Sequence, residues 1–188
     1  MTESKRRALG WVCLAGFLVT IPLANYAIRH WGTPSPFPGG PHTIDVLWWT
    51  VPSGTAFIGL SFVLRDVAQY LLGRKWAWIA IAVGALLSWW LADATIAIAS
   101  AVAFFWSEST DALIFTPLAN RGQFALGVWL SGVLASVVDS FLFLWIAFGW
   151  GAAVDGWFDL FAVKTLFVLV ASPIAFLVRR AVPRYESV

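Results

Sequence analysis

Six long apolar runs, separated by short polar segments, restrict what this chain can fold into. A helix that crosses a bilayer needs about 20 mostly apolar residues. Six such helices would use about 120 residues, and the chain has 188, so short loops and termini account for the rest. The runs cover residues 8–28, 46–64, 76–92, 94–118, 124–149 and 157–178. We therefore predict an all-α membrane protein, in which residues 1–188 form a single domain built as a bundle of six transmembrane helices.

The composition supports this prediction. The chain is 60% apolar and 12% charged, whereas soluble domains are roughly 45–50% apolar and about 25% charged. These values exclude a water-soluble globular domain, and we expect no separate nucleotide-binding or catalytic lobe. The formal net charge is only +2, so we also expect no nucleic-acid partner. The lipid bilayer is the partner that the composition predicts.

The placement of the basic residues predicts the orientation of the bundle. If the N-terminus is cytoplasmic, ten of the twelve lysines and arginines fall on the cytoplasmic side and only Arg29 falls outside. This bias is what the positive-inside rule describes. The ten residues are Lys5, Arg6, Arg7, Arg65, Arg74, Lys75, Arg121, Arg179, Arg180 and Arg184. We therefore predict that both termini are cytoplasmic.

The second apolar run is interrupted by Pro52 and Gly54. A broken helix in a bilayer frees backbone groups that must be satisfied inside the protein or in a water-lined cavity, so the interruption predicts a cavity. Residues 65–75 then form a short polar segment that contains Asp66 and Gln69. These two side chains either belong to a site beside the broken helix or lie on an ordinary solvated loop helix.

The clear cases of ionisable side chains well inside the predicted spans are four, namely Glu108, Asp111, Asp139 and Lys164. A charge at the centre of a spanning helix costs at least about 2.5–3.5 kcal/mol, so such a group faces the bundle interior or water and marks a functional site. The alternative for Asp139 and Lys164 is a buried ion pair that only fixes the helix register.

Glu108 and Asp111 share one helix face because they are three residues apart. Their charges repel unless a cation approaches, which could be Lys164, a coupling ion or the donor groups of a substrate. Phe104 and Phe115 extend the same face. A carboxylate accepts two hydrogen bonds from the edge of a guanine-like ring, and aromatic side chains stack on such rings for about 1–3 kcal/mol per base. The face therefore suits a flat, nitrogen-rich ligand, with a cationic amine or a proton as alternatives.

We expect neither an enzyme nor a bound metal or cofactor. Cys13 is the only cysteine, so no pair of cysteines is available for a disulfide or a metal. His30 and His42 both fall in the loop predicted after the first span, so the usual general base is absent from the spans. The sequence also lacks Gly-x-Ser-x-Gly and His-Glu-x-x-His signatures.

Several of these residues occur in an order that resembles the queuosine-precursor transporter family, also called the vitamin uptake transporter (VUT) family. The matching elements are Ala24-Asn25-Tyr26, Arg65-Asp66-Val67 with Gly73-Arg74, Glu108 with Asp111, Val138-Asp139-Ser140-Phe141 with Ile146-Ala147-Phe148, and Lys164. The resemblance implies a multi-pass transporter of the bacterial cell (inner) membrane that takes up 7-deazapurines such as 7-cyano-7-deazaguanine. It implies substrate contacts at Asn25, Asp66, Gln69, Glu108, Asp111, Asp139 and Lys164.

Two other functions stay open at this point. One is the substrate-binding membrane subunit of an energy-coupling vitamin transporter, because six short helices without an ATPase also fit that class. The other is a purely structural bundle, which leaves the four charged residues of the spans without a role. The expected partner is a purine-like small molecule, and either a homodimer or coupling subunits would be compatible with the sequence.

Overall fold

The computed structural model describes residues 2–34, 41–92 and 96–182. Within them the chain forms six helices and one two-stranded sheet, so the predicted helical architecture is confirmed. The helices are α1 (Glu3–His30), α2 (Thr55–Leu72), α3 (Arg74–Leu91), α4 (Ala97–Asn120), α5 (Phe124–Phe148) and α6 (Trp150–Ala181). The strands β1 (Thr43–Val46) and β2 (Trp49–Pro52) pair as an antiparallel hairpin between α1 and α2.

Five of these helices, all except α3, are long and apolar enough to cross a membrane. Helix α3 has 18 residues, but it begins with Arg74 and Lys75 and carries four tryptophans, which lower its mean hydropathy. The long apolar helices identify a multi-pass membrane protein. In place of the predicted span 94–118, the continuous helix α4 covers Ala97–Asn120 and carries its polar residues in its middle.

The predicted second span is wrong in its bounds. Residues 46–52 belong to the hairpin, whose turn lies at Leu47 and Trp48, and α2 begins only at Thr55. The β-branched residues of this stretch favour strand pairing, and Pro52 lacks the N–H that a helix interior requires. Because α2 continues to Leu72, the segment predicted as a polar connection is the second half of this helix.

Some predicted features fall outside the described residues. They are residues 35–40 of the loop predicted after the first span, Ala94 at the start of the fourth predicted span, and Arg184. The described part of that loop is fixed to the end of α1, because the His42 amide donates to the Ile28 carbonyl at 2.7 Å and the Ser53 hydroxyl donates to the Ala27 carbonyl at 2.7 Å. The hairpin therefore packs over one end of the bundle.

Helix α2 is the central helix, since it contacts each of the other five. In its most apolar 18-residue stretch 61% of the residues are buried, against 33–44% for the other four long apolar helices. Gly59 allows a close approach to α6, because a Cβ at this position would lie 2.5 Å from Cβ of Phe167. Every polar side chain on the inner faces of α2 therefore has to find a partner inside the protein.

Contacts between helix ends define the two ends of the bundle. At the hairpin end, Arg29 of α1 donates to the Leu91 carbonyl of α3 at 3.0 Å. At the opposite end, Tyr70 donates to the Val182 carbonyl at 3.0 Å, and Arg179 donates to the Gly122 carbonyl at 3.1 Å. We call these the hairpin end and the basic end, because Arg74, Lys75, Arg121, Arg179 and Arg180 lie at the second.

Candidate functional site

A cavity of about 110 Å³ lies inside the bundle toward the hairpin end. Each of the six helices contributes a polar side chain to its wall: Asn25, Ser61, Ser88, Glu108, Asp139 and Lys164. Aromatic rings complete the wall at Phe57, Phe62, Phe104 and Phe143. One buried water takes roughly 10–15 Å³ on this scale, so the space suits a small planar molecule. The combination of apolar walls and a few converging polar groups is typical of ligand sites.

Asp139 and Lys164 form an ion pair in the wall of this cavity. The Lys164 ammonium donates to Asp139 Oδ2, and the Ser107 hydroxyl donates to Asp139 Oδ1 at 3.3 Å. Lys164 is 1% exposed and Asp139 is 7% exposed. The ion pair that was considered as the alternative is thus present, and it balances the charge of both groups.

A second group of charges, which we call the Arg65 cluster, consists of Arg65, Asp66, Gln69, Glu108 and Asp111. The guanidinium Nε lies 3.2 Å from Glu108 Oε2, and Nη2 donates to Asp111 Oδ2. The guanidinium Nη1 donates to Gln69 Oε1 at 3.1 Å and lies 3.1 Å from Asp66 Oδ1. Arg65 is fully buried, and its planar fork of five N–H donors suits such a set of acceptors.

This arrangement corrects the sequence analysis at Arg65. We expected a cytoplasmic surface cation, but the longer α2 carries this side chain into the bundle. It is also the cation that lies between Glu108 and Asp111, a place for which only Lys164, a coupling ion or a substrate had been considered. The signal that could have revealed it is the spacing of Ser61, Arg65 and Gln69, which recur every four residues and therefore share one face of α2.

Glu108 connects the cavity to the Arg65 cluster. Its Oε1 accepts a hydrogen bond from Ser61 at 3.2 Å, while its Oε2 accepts one from Arg65 at 3.2 Å. Both helices that carry these residues run from the hairpin end toward the basic end, so Asp111 and Gln69 lie deeper than Glu108. Gln69 also donates to Thr116 at 2.7 Å. The cluster thus ties α2 to α4 between the cavity and the basic end.

The residues proposed as substrate contacts divide into two sets. Four line the cavity, namely Asn25, Glu108, Asp139 and Lys164. The others, Asp66, Gln69 and Asp111, belong to the Arg65 cluster beneath it.

The contacts of Asn25 and of the two phenylalanines on the face of α4 are also defined. The Asn25 amide donates to the Ile21 carbonyl of its own helix at 3.0 Å. Of the two phenylalanines on the face of α4, Phe104 lines the cavity, whereas Phe115 packs against Phe124 with ring centroids 5.6 Å apart. Only one of the two predicted aromatic planes is therefore available to a ligand in the cavity.

Among the described residues, no group of three or more His, Cys, Asp or Glu side chains is arranged to hold a metal ion. The side chains in the cavity wall offer recognition by hydrogen bonds, charge and stacking. Glu108 supplies an acceptor, Lys164 supplies a donor that is already paired, and the phenylalanines supply flat apolar surfaces.

A comparison with known protein families gives a match in the second half of the chain. Residues 91–179 match the model of a family described as "Putative vitamin uptake transporter", which confirms the resemblance stated above over this part. The matched stretch contains Glu108, Asp111, Asp139 and Lys164, whereas Asn25 and the Arg65 face of α2 precede it. No curated protein and no solved structure gives a match.

Proposed function

We propose that this multi-pass membrane protein is an uptake transporter for a purine-like queuosine precursor, 7-cyano-7-deazaguanine or a related 7-deazapurine. The observation that carries this proposal is the position of the Glu108 carboxylate in a cavity that aromatic rings also line. The match of residues 91–179 to a vitamin uptake transporter family supports the transport function. The resemblance in the order of residues supports the choice of substrate.

The chemistry of the cavity suits one edge of a guanine-like ring. An ionised carboxylate offers roughly four acceptor positions, and Ser61 and Arg65 use two of those on Glu108. The remaining positions would accept from the adjacent N–H and NH₂ groups of the ring. Lys164 on the opposite wall would donate to a carbonyl oxygen of the ligand, and Phe104 would stack on its face.

The proposed topology has six spans with both termini in the cytoplasm. Helix α3 is roughly 27 Å long at 1.5 Å per residue, against about 30 Å for the hydrocarbon core. The contacts of Arg29 with Leu91 bring the ends of α1 and α3 together, as expected if both helices cross in the same direction. Without Arg65, nine basic residues remain on the proposed cytoplasmic side, against Arg29 outside, so the bias persists.

In this topology the cavity lies toward the outer side of the membrane. Its wall includes Ile28, Pro52 and Gly54 at the hairpin end, which faces the outside in the proposed orientation. In the proposed orientation, Gln69 and Asp111 of the Arg65 cluster lie on the cytoplasmic side of Glu108, where the cluster would close the path inward. In this orientation a ligand would reach Glu108 from the outside, and uptake would require the Arg65 cluster to separate.

Uptake by whole cells tests the proposed function. A strain that neither synthesises nor imports queuosine precursors should regain queuosine in its tRNA when it expresses this chain and receives nanomolar 7-cyano-7-deazaguanine. Glu108→Gln should abolish the gain, whereas Asp155→Asn, which removes an exposed carboxylate of α6, should leave it unchanged. No gain over the empty vector at matched expression would overturn the proposal. Co-purification of cytosolic ATPase subunits would favour the substrate-binding subunit instead.

A further inference from the structure

The Arg65 cluster contains more negative than positive charge. Arg65 is its single cation, and Asp66, Glu108 and Asp111 face it. The nearby Lys164 does not supply the missing charge, because it pairs with Asp139. All four charged side chains of the cluster are at most 1% exposed. An ionised carboxylate without a matching cation is very costly in such surroundings, so one or two of these carboxylates need neutralisation.

Asp66 is the carboxylate with the fewest partners. Neither of its oxygens accepts a hydrogen bond, although Oδ1 lies 3.1 Å from the guanidinium of Arg65. By contrast, Glu108 accepts two hydrogen bonds and Asp111 Oδ2 accepts one. The residue that is buried and unsatisfied at the same time is the one for which the charged form is least favourable.

Two further unsatisfied groups surround Asp66. Asp111 Oδ1 makes no hydrogen bond of normal geometry, and neither does the hydroxyl of Ser131 on α5, which is fully buried and lies close enough to both aspartates to act on their charge. In the described part of the chain, the charged groups that act on Asp66 are Arg65 on its own helix and Asp111 and Glu108 on α4. Helix α5 contributes only the Ser131 hydroxyl to this group.

We propose that Asp66 binds a proton from the outside and releases it to the cytoplasm, so that the uptake proposed above is coupled to the entry of protons. The proton converts the carboxylate into a carboxylic acid, which donates an O–H to Asp111 Oδ1 or to Ser131. Both acceptors lack a partner, so one proton removes a charge and satisfies two buried groups at once. Release returns the carboxylate and passes the proton to water at the basic end.

The geometry favours a proton over Na⁺ at this position. The guanidinium of Arg65 lies 3.1 Å from Asp66 Oδ1, and a metal cation placed on the same carboxylate would be repelled at close range in a low-dielectric interior. A metal of this kind also requires several oxygen ligands around one point. A proton requires a single acceptor and adds a donor, which is what the unsatisfied oxygens need.

Glu108 provides the link between proton and ligand. A ligand that binds Glu108 competes with Arg65 for the same carboxylate, and a weaker bond to Glu108 leaves more of the guanidinium charge for Asp66. Binding of the ligand therefore favours release of the proton toward the basic end, and by linkage the ligand and the proton each lower the affinity for the other by the same factor. The inference rests on the proposed function for its transport part, whereas proton binding itself does not require a ligand.

Infrared difference spectroscopy tests proton binding without any ligand. Purified protein in lipid nanodiscs at neutral pH should show the C=O stretching band of a buried protonated carboxylic acid, which disappears on alkaline titration. Asp66→Asn should remove the band, Asp66→Glu should retain it at a shifted frequency, and Glu108→Gln and Asp155→Asn should leave it in place. Absence of the band in the wild type, or its loss in Glu108→Gln and survival in Asp66→Asn, would overturn the proposal.

Proteoliposomes test the coupling. With labelled 7-cyano-7-deazaguanine, the wild type should exchange the label without any gradient and accumulate it up to about tenfold when the exterior is one pH unit more acidic, since one unit corresponds to 1.36 kcal/mol for one proton. Asp66→Asn should retain exchange and lose accumulation. Exchange without a response to the pH gradient, or accumulation driven by a Na⁺ gradient, would contradict proton coupling. Absence of exchange in the wild type would contradict the proposed function instead, while the infrared result would still decide proton binding.

Discussion

The Glu108 carboxylate lies 3.2 Å from Nε of Arg65, and this contact joins the cavity to the charged cluster beneath it. Glu108 is the only cavity-lining residue of the described chain that also contacts the Arg65 guanidinium. The ligand site and the contacts that close the inner half of the bundle therefore share one side chain. A ligand on Glu108 would act directly on the closure.

Replacement of Arg65 should destabilise the protein strongly. Arg65→Met leaves three carboxylates buried without their cation, and removal of one partner from a buried ion pair costs about 3–5 kcal/mol. In detergent, Arg65→Met should unfold at a markedly lower midpoint temperature than Arg74→Met, which removes the exposed arginine at the first position of α3. Equal midpoints for the two variants would show that Arg65 does not hold the cluster together.

The ion pair of Asp139 and Lys164 lends itself to a double-mutant cycle. Asp139→Asn and Lys164→Met should each destabilise the protein, because each leaves one buried charge without its partner. The double variant should be more stable than the sum of the two effects predicts, by roughly 0.5–3 kcal/mol. If the pair also contacts the substrate, the double variant should remain unable to take up 7-cyano-7-deazaguanine. Restored uptake together with restored stability would show that the pair is only structural.

Gly59 should be required for the packing of α2 on α6. In Gly59→Ala the new Cβ would meet the Phe167 side chain at 2.5 Å and the backbone nitrogen of Val168 at 2.6 Å, so the helices must move apart. We expect a loss of about 1–3 kcal/mol, which is usual for overpacking. Gly151→Ala is the matched control, because no atom lies within 4 Å of its Cβ position. An unfolding midpoint that is lower for Gly151→Ala than for Gly59→Ala would contradict the close contact.

The proposed orientation is open to cysteine labelling in a Cys13→Ser background. Trp48 lies at the hairpin turn and is 77% exposed, so Trp48→Cys should react with a membrane-impermeant maleimide in intact cells. Lys75→Cys, at the start of α3, should react only after the membrane is permeabilised. The reverse pattern would place the hairpin end in the cytoplasm and would turn the cavity inward.

One physical argument predicted the helical class from the sequence, raised the ion pair of Asp139 and Lys164 as an alternative, and made Glu108 a candidate site residue. A charge in an apolar helix is expensive, so its position is informative even without a structure. The same argument could not predict that Arg65 is buried, because the burial of this side chain depends on where α2 begins and ends. Hydropathy has similar values for the strands of the hairpin and for the first turns of a helix. The two are distinguished by the antiparallel pairing of the strands, which runs from Thr43 with Pro52 to Val46 with Trp49.

The sequence also did not predict how deep in the bundle the proposed contact residues lie. Asp66 and Gln69 were associated with the site by their order in the chain, and the structure places both beneath the cavity rather than in its wall. The distinction arises because residues one turn apart on α2 differ in depth by about 5.4 Å. The order of residue types along the sequence does not predict how far into the bundle a cavity extends.

Titration of the purified protein with 7-cyano-7-deazaguanine tests the central claim most directly. The account predicts saturable binding by the wild type, loss of binding in Glu108→Gln, unchanged binding in Asp155→Asn, and no binding of biotin. Loss of a charged hydrogen-bond partner corresponds to about 1.5–3 kcal/mol, or roughly a 10- to 150-fold weaker affinity. Wild-type protein that does not bind the deazapurine, or a Glu108→Gln variant that binds it as tightly as the wild type, would contradict the account.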